Sequence, residues 1–142
     1  VTDRQIVRGR VSGFSPWEEQ FGFSRAVAAG DQVHVSGCTA LVNGRIERDD
    51  PYSQALTAFG TALNALAAYG LTAHDVVRTR MYLTHVRDAD EVGRAHKQLF
   101  DAVRPASTML VVAGLIDSRM MVEVELDAYR AGLGKTLEGS TP

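Results

Sequence analysis

Met120-Met121-Val122-Glu123-Val124-Glu125-Leu126-Asp127-Ala128-Tyr129 alternates without a break. Successive side chains of an extended chain point to opposite faces. Met120, Val122, Val124, Leu126 and Ala128 therefore make one apolar side, and Met121, Glu123, Glu125, Asp127 and Tyr129 make the other. A strand with one apolar and one polar face belongs to a sheet covered on one side only, the usual habit of antiparallel sheets. Working back along the chain, residues 108–113 read as the preceding strand, with 114–119 between the two.

Residues 88–103 read as a helix. Asp88 with Glu91 three residues on makes an acidic capping box, and Val92, Ala95, His96, Leu99, Phe100 and Val103 form one stripe. Arg104-Pro105 ends it, because the residue before proline disfavours helical geometry. Residues 75–85 alternate again, with Val77, Thr79, Met81 and Leu83 on one face and Arg78, Arg80 and Tyr82 on the other.

A longer helix precedes that strand. Asp50 suits the N-cap, Pro51 the first helical position and Gly70 the left-handed stop. Tyr52, Leu56, Phe59, Leu63 and Leu66 make its stripe, and no charge occurs between Pro51 and Tyr69. Earlier still, residues 23–28 and 32–36 around Ala29-Gly30-Asp31 read as a hairpin, Asn43-Gly44 as a tight turn, 4–11 as a first strand and 12–16 as irregular chain. The expectation is an α+β domain over residues 1–130, a mostly antiparallel sheet with two helices on one face, followed by a loose tail at 131–142.

The totals exclude several functions. Fifteen basic and seventeen acidic residues give a net charge of -2 with no like-charge run, which argues against a nucleic-acid-binding surface. The apolar runs are too short for a membrane-spanning helix. A single cysteine, Cys38, fits a reducing cytoplasmic setting, and the four histidines show no metal-ligand spacing.

Val35-Ser36-Gly37, the uncharged helix ending Tyr69-Gly70-Leu71, Asp75-Val76-Val77-Arg78-Thr79, Arg104-Pro105-Ala106 and Val122-Glu123-Val124-Glu125 together resemble, in that order, the Rid proteins, also called the YjgF family. The resemblance covers roughly residues 23–128. It implies a chorismate-mutase-like fold, a homotrimer with small-molecule pockets at its subunit interfaces, and hydrolysis of reactive enamines and imines without cofactor or metal. It also implies that Gly37 borders the pocket and that Glu125 is the carboxylate that orients water.

The chain departs from that pattern where the family's best-known members bind substrate. They carry an arginine directly after the Pro-Ala pair, and here Ser107 follows Pro105-Ala106. A serine hydroxyl cannot replace a planar, charged, two-pronged clamp, so typical 2-imino acid deaminase activity is not expected. Phe23 stands where the family has a pocket tyrosine, and Cys38 where it has a glutamine. Met109 and Phe23 are candidate apolar walls. Arg25, two residues after Phe23, either faces the pocket and takes over the anion grip or points outward into solvent.

Two functional readings stay open. One is a Rid-like enzyme that hydrolyses or isomerises an imine, enamine or related unsaturated metabolite, with Glu125 positioning water and Ser107, Gly37, Arg25, Cys38, Phe23 and Met109 around the substrate. The other is a non-catalytic trimer that binds or senses a metabolite in the same pockets. The polar sheet face carries the same ambiguity, being either solvated or closed by other copies of the chain that pair its charges.

Overall fold

The computed structural model describes residues 5–13, 15–46 and 50–140. Its elements are β1 (Arg10–Val11), α1 (Pro16–Phe21), β2 (Ala26–Ala29), β3 (Gln32–Cys38), β4 (Leu41–Val42), β5 (Arg45–Ile46), α2 (Pro51–Ala67), β6 (Val76–Leu83), α3 (Ala89–Phe100), β7 (Ala106–Val111), β8 (Val122–Tyr129) and α4 (Leu133–Ser140). Six strands form one sheet in the order β1-β2-β3-β8-β6-β7, and β4 pairs with β5 in a separate small ribbon. Every pair in the large sheet is antiparallel except β6 with β7, which α3 connects in parallel. The fold is thus the α+β class expected, with a mostly antiparallel sheet.

β8 lies inside the sheet between β3 and β6, and its alternation is kept throughout. Val122, Val124, Leu126 and Ala128 are fully buried and meet Phe59, Ala62 and Leu66 of α2 in the same core cluster. α2 begins as its sequence dictates: the Asp50 side chain accepts from the Ser53 amide at 2.8 Å, with Pro51 next in line. Gln54 is also buried, tying α2 to the loop before β8 by donating to the Arg119 carbonyl at 2.9 Å and accepting from the Met121 amide at 2.8 Å.

Four local expectations are corrected. The irregular reading of 12–16 gives way at Pro16, where α1 begins and runs on through residues 17–21, which carry no assignment from sequence: Ser15 accepts from the Trp17 amide, Pro16 occupies the first turn and Gly22 stops it at φ 77°. Residues 133–140, read as a loose tail, form α4, with Leu133 buried in the core. The pairing of β6 with β8 is irregular between Val76 and Arg78, so Val76 turns inward and Val77 outward, the reverse of strict alternation for Val77. Asp88 makes no side-chain cap; the chain enters α3 through a short 3₁₀ turn instead, and the reciprocal box belongs to Thr72 and Asp75.

Of the strand expected at residues 4–11, β1 keeps Arg10–Val11, and residues 1–4 lie outside the described residues. Among the described residues no helix is long and apolar enough to cross a membrane.

Candidate functional site

A cleft of about 630 Å³ opens between α1 and the β3–β4 corner, with the start of β8 at its inner end. Its geometry depends on a break in the sheet. Between Val35 and Cys38, β3 advances three residues while β8 advances two, from Leu126 to Val124. The extra residue is a bulge, which re-aims the strand just where the cleft begins. Gly37 sits in that bulge with its α-carbon against the Glu123 side chain, so close that a β-carbon there would collide with the carboxylate.

Arg25 enters the cleft from the loop before β2 and is buried at 7% exposure, so it does not point outward into solvent. Its Nη1 donates to the Gly37 carbonyl at 2.6 Å and to Cys38 Sγ at 3.2 Å. Its Nε faces Glu18 Oε2 at 3.5 Å, and its guanidinium lies 5.7 Å from the centre of the Phe23 ring. Glu18 is itself anchored, because Oε1 accepts the Gly13 amide at 2.8 Å. The Cys38 thiol is buried and donates to the Ser36 carbonyl at 3.3 Å.

Glu123 is the remaining ionisable group of the cleft. Burial pushes its carboxyl above the ordinary range; the nearby Arg25 charge partly offsets this, and Glu125 adds to it. Around these groups the walls are apolar, including Trp17, Phe21, Phe23, Leu41 and Met120. A half-buried carboxylate in such surroundings binds a proton more readily than a solvated one, which suits it to proton transfer.

Four of the residues expected at the site therefore meet: Phe23, Arg25, Gly37 and Cys38. Three do not join them within one chain. Glu125 lies on the open sheet face, accepting the Tyr82 hydroxyl at 2.7 Å, with Arg80 at 3.6 Å. Arg80 also reaches Asp127 at 3.2 Å, and His34 Nδ1 lies 2.7 Å from the other oxygen of Asp127. The charged face so pairs largely within itself. The carboxylate beside Gly37 is Glu123, one alternation step before Glu125, and the bulge decides which of the two it is.

Ser107 and Met109 stand on β7 at the far edge of the sheet, on the side that the helices cover. Thr79 Oγ1 donates to Ser107 Oγ at 2.8 Å and lies 2.8 Å from His96 Nε2. Thr79 thereby links the Ser107 hydroxyl to the His96 ring, whose nitrogen donates or accepts according to its tautomer. Burial lowers the affinity of the His96 ring for a second proton, which favours its neutral form. Met109 packs against the core beside Gly93.

The sequence did not single out Glu18 and Trp17, because the start of their helix at Ser15-Pro16 reads as irregular chain and residues 17–22 carry no assignment. The Ser15-Pro16 pair followed by two glutamates was the available signal, since all four suit a helix start.

The family model for endoribonuclease L-PSP matches residues 17–130. An uncharacterized protein of Streptomyces coelicolor is 57% identical over 125 residues, 87% of this chain and 93% of its own length. A crystal structure from Mycobacterium tuberculosis, described as a member of the YjgF/YER057c/UK114 family, is 38% identical with a TM-score of 0.78, covering 90% of this chain and all of that one. The Escherichia coli TdcF structure with bound serine shares the fold at a TM-score of 0.73 and 22% identity, covering 90% of this chain and 98% of that one.

Proposed function

Because the chain belongs to the L-PSP endoribonuclease family, that of the Rid or YjgF proteins, we propose that it is a small-molecule hydrolase acting on a carbon–nitrogen double bond, with Glu123 handling the water. The observation that carries this reading is the half-buried Glu123 carboxylate against Gly37, at the inner end of an apolar-walled cleft. A group of that kind, poised to gain and lose a proton, is what imine hydrolysis needs.

The step balances with water as the only co-reactant. Water attacks the carbon of a protonated imine, the C=N π pair moves to nitrogen, and Glu123 accepts the proton that water releases. Glu123 then returns this proton to nitrogen, the C–N bond breaks with its electron pair leaving on ammonia, and the hydroxyl proton departs as the carbonyl forms. Ammonia takes up that last proton. A protonated imine and water have become a carbonyl compound and ammonium. An enamine enters the same path by protonation at carbon.

The reading extends to a cofactor-independent cytoplasmic enzyme assembled as a homotrimer, in which Ser107 of one chain reaches the cleft of the next. The balanced charge of the chain and the paired charges on the open sheet face favour a small molecule over RNA as substrate.

The test is ammonia release from imines generated in place by an amine or amino-acid oxidase, with and without the protein. Acceleration is expected, and Glu123→Gln should lower it by about a hundredfold or more, the usual contribution of a positioned acid or base. Specific binding of a candidate ligand without any acceleration would instead establish a non-catalytic binder.

A further inference from the structure

The charges of the cleft define what its ligand must carry. Among the described residues that line it, three are of the charged types: Arg25, Glu18 and Glu123. One cation thus faces two carboxylates, and the cation is already engaged. An arginine grips a carboxylate through two adjacent donors of its fork. In Arg25 the Nη1 end of that fork is committed to the Gly37 carbonyl and the Cys38 sulfur, and the Nε end faces Glu18. Nη1 is thus hydrogen-bonded, whereas Nε makes no hydrogen bond and is held against the Glu18 carboxylate by charge alone. An incoming carboxylate at Arg25 would have to compete with the Glu18 ion pair and lie near both Glu18 and Glu123. Arg25 is a bracket that fixes the Gly37 bulge.

We propose that the substrate of this cleft has no carboxylate: it is a protonated imine, or the matching enamine, derived from a simple amine with a bulky apolar or aromatic body. This rests on the hydrolytic reading given above and names the substrate class for it. The positive nitrogen lies against Glu123. The aromatic rings of Trp17, Phe21 and Phe23 attract such a cation and cover its apolar body. Phe21 and Phe23 are 66% and 39% exposed, an unusual surface for rings with no task. The cleft volume of about 630 Å³ lies in the range of pockets for drug-sized ligands, more than a three-carbon acid fills. A carboxylate-bearing substrate would add a third negative charge to a lining in which, among the described residues, Arg25 is the one cation and is already paired with Glu18.

The experiment compares two imines with the same body. Phenethylamine and phenylalanine, treated with a flavin amine oxidase and an amino-acid oxidase respectively, yield an imine without and an imine with a carboxylate. With the full chain, kcat/KM for the first should exceed that for the second by about tenfold or more, the effect of one unfavourable charge contact. Glu18→Gln, which removes one carboxylate and releases Arg25, should narrow that ratio. A wild-type preference for the imine bearing the carboxylate overturns the proposal. If neither imine is accelerated, the hydrolytic reading fails, and calorimetry with phenethylammonium and phenylpyruvate then tests the charge selection alone. Binding of phenethylammonium in preference to phenylpyruvate upholds it; preference for phenylpyruvate, or binding of neither, overturns it.

Discussion

At the scale of single residues, Glu123 and Gly37 show where reading the sequence reaches its end. Alternation along residues 120–129 puts Glu123 and Glu125 on the same face, and nothing local separates their roles. The distinction comes from a register break on another strand, β3, where the bulge brings Gly37 onto Glu123. This yields a prediction about pH. The folded state raises the carboxyl of Glu123 above its ordinary value, so it favours the protonated form. The stability that Glu123 contributes is full at low pH and falls as pH rises through its elevated value. Glu123→Gln removes the penalty, so the variant should melt higher than wild type at pH 8, and the two should converge towards pH 4, although the variant is less active. Thermal melts across that range check it, and equal melting temperatures at all pH values would show that Glu123 is well solvated. Gly37→Ala should act on the same pair by displacing the carboxylate, reducing kcat more than it changes the melting temperature.

At the scale of elements, the long helix and the strands were legible because each carries its own signal: α2 a proline start and an apolar stripe, β8 a strict alternation. The shorter pieces were not. α1 has six residues and α4 eight, too few for periodicity to stand out against composition, and both are held by tertiary contacts. The Leu133 side chain buries α4 against the core, and Glu18 and Arg25 hold α1 to the sheet. The two helix starts differ in a measurable way. Asp50 accepts the Ser53 amide, whereas Asp88 makes no side-chain cap. Asp50→Ala should therefore cost about 1 kcal/mol, the usual worth of an N-cap, read as a lower midpoint in urea. An unchanged midpoint would mean that Pro51 and the apolar stripe suffice to start α2.

At the scale of the whole molecule, the separation of Ser107 from Gly37 has a consequence for assembly. Ser107 stands on the edge strand β7 and Gly37 in the bulge of the interior strand β3, with β8 and β6 between them, and the cleft of one chain is lined by Gly37 and not by Ser107. A trimer can bring both to one ligand, if β7 of one copy closes the cleft of the next. The surface around β7 suits that role: Val77, Leu110 and Val111 are each about half exposed on or beside an unpaired edge strand, a liability that a partner would cover. Light scattering at micromolar concentration should then give three times the chain mass of 15.4 kDa. Leu110→Glu should lower that mass without unfolding the chain, because the side chain it replaces is 51% exposed. Mixing separates a shared site from a private one. Glu123→Gln chains lack the carboxylate and Ser107→Trp chains block the neighbouring cleft, so each alone should be inactive. After the two are unfolded and refolded together in equal amounts, about one site in four would join an intact Glu123 to an intact Ser107, and about a quarter of the wild-type activity should return. If each site belonged to one chain, no intact site would form and no activity would return. If Ser107→Trp alone were fully active, β7 would not reach the cleft, and Ser107 would serve only the hydrogen-bonded chain through Thr79 to His96.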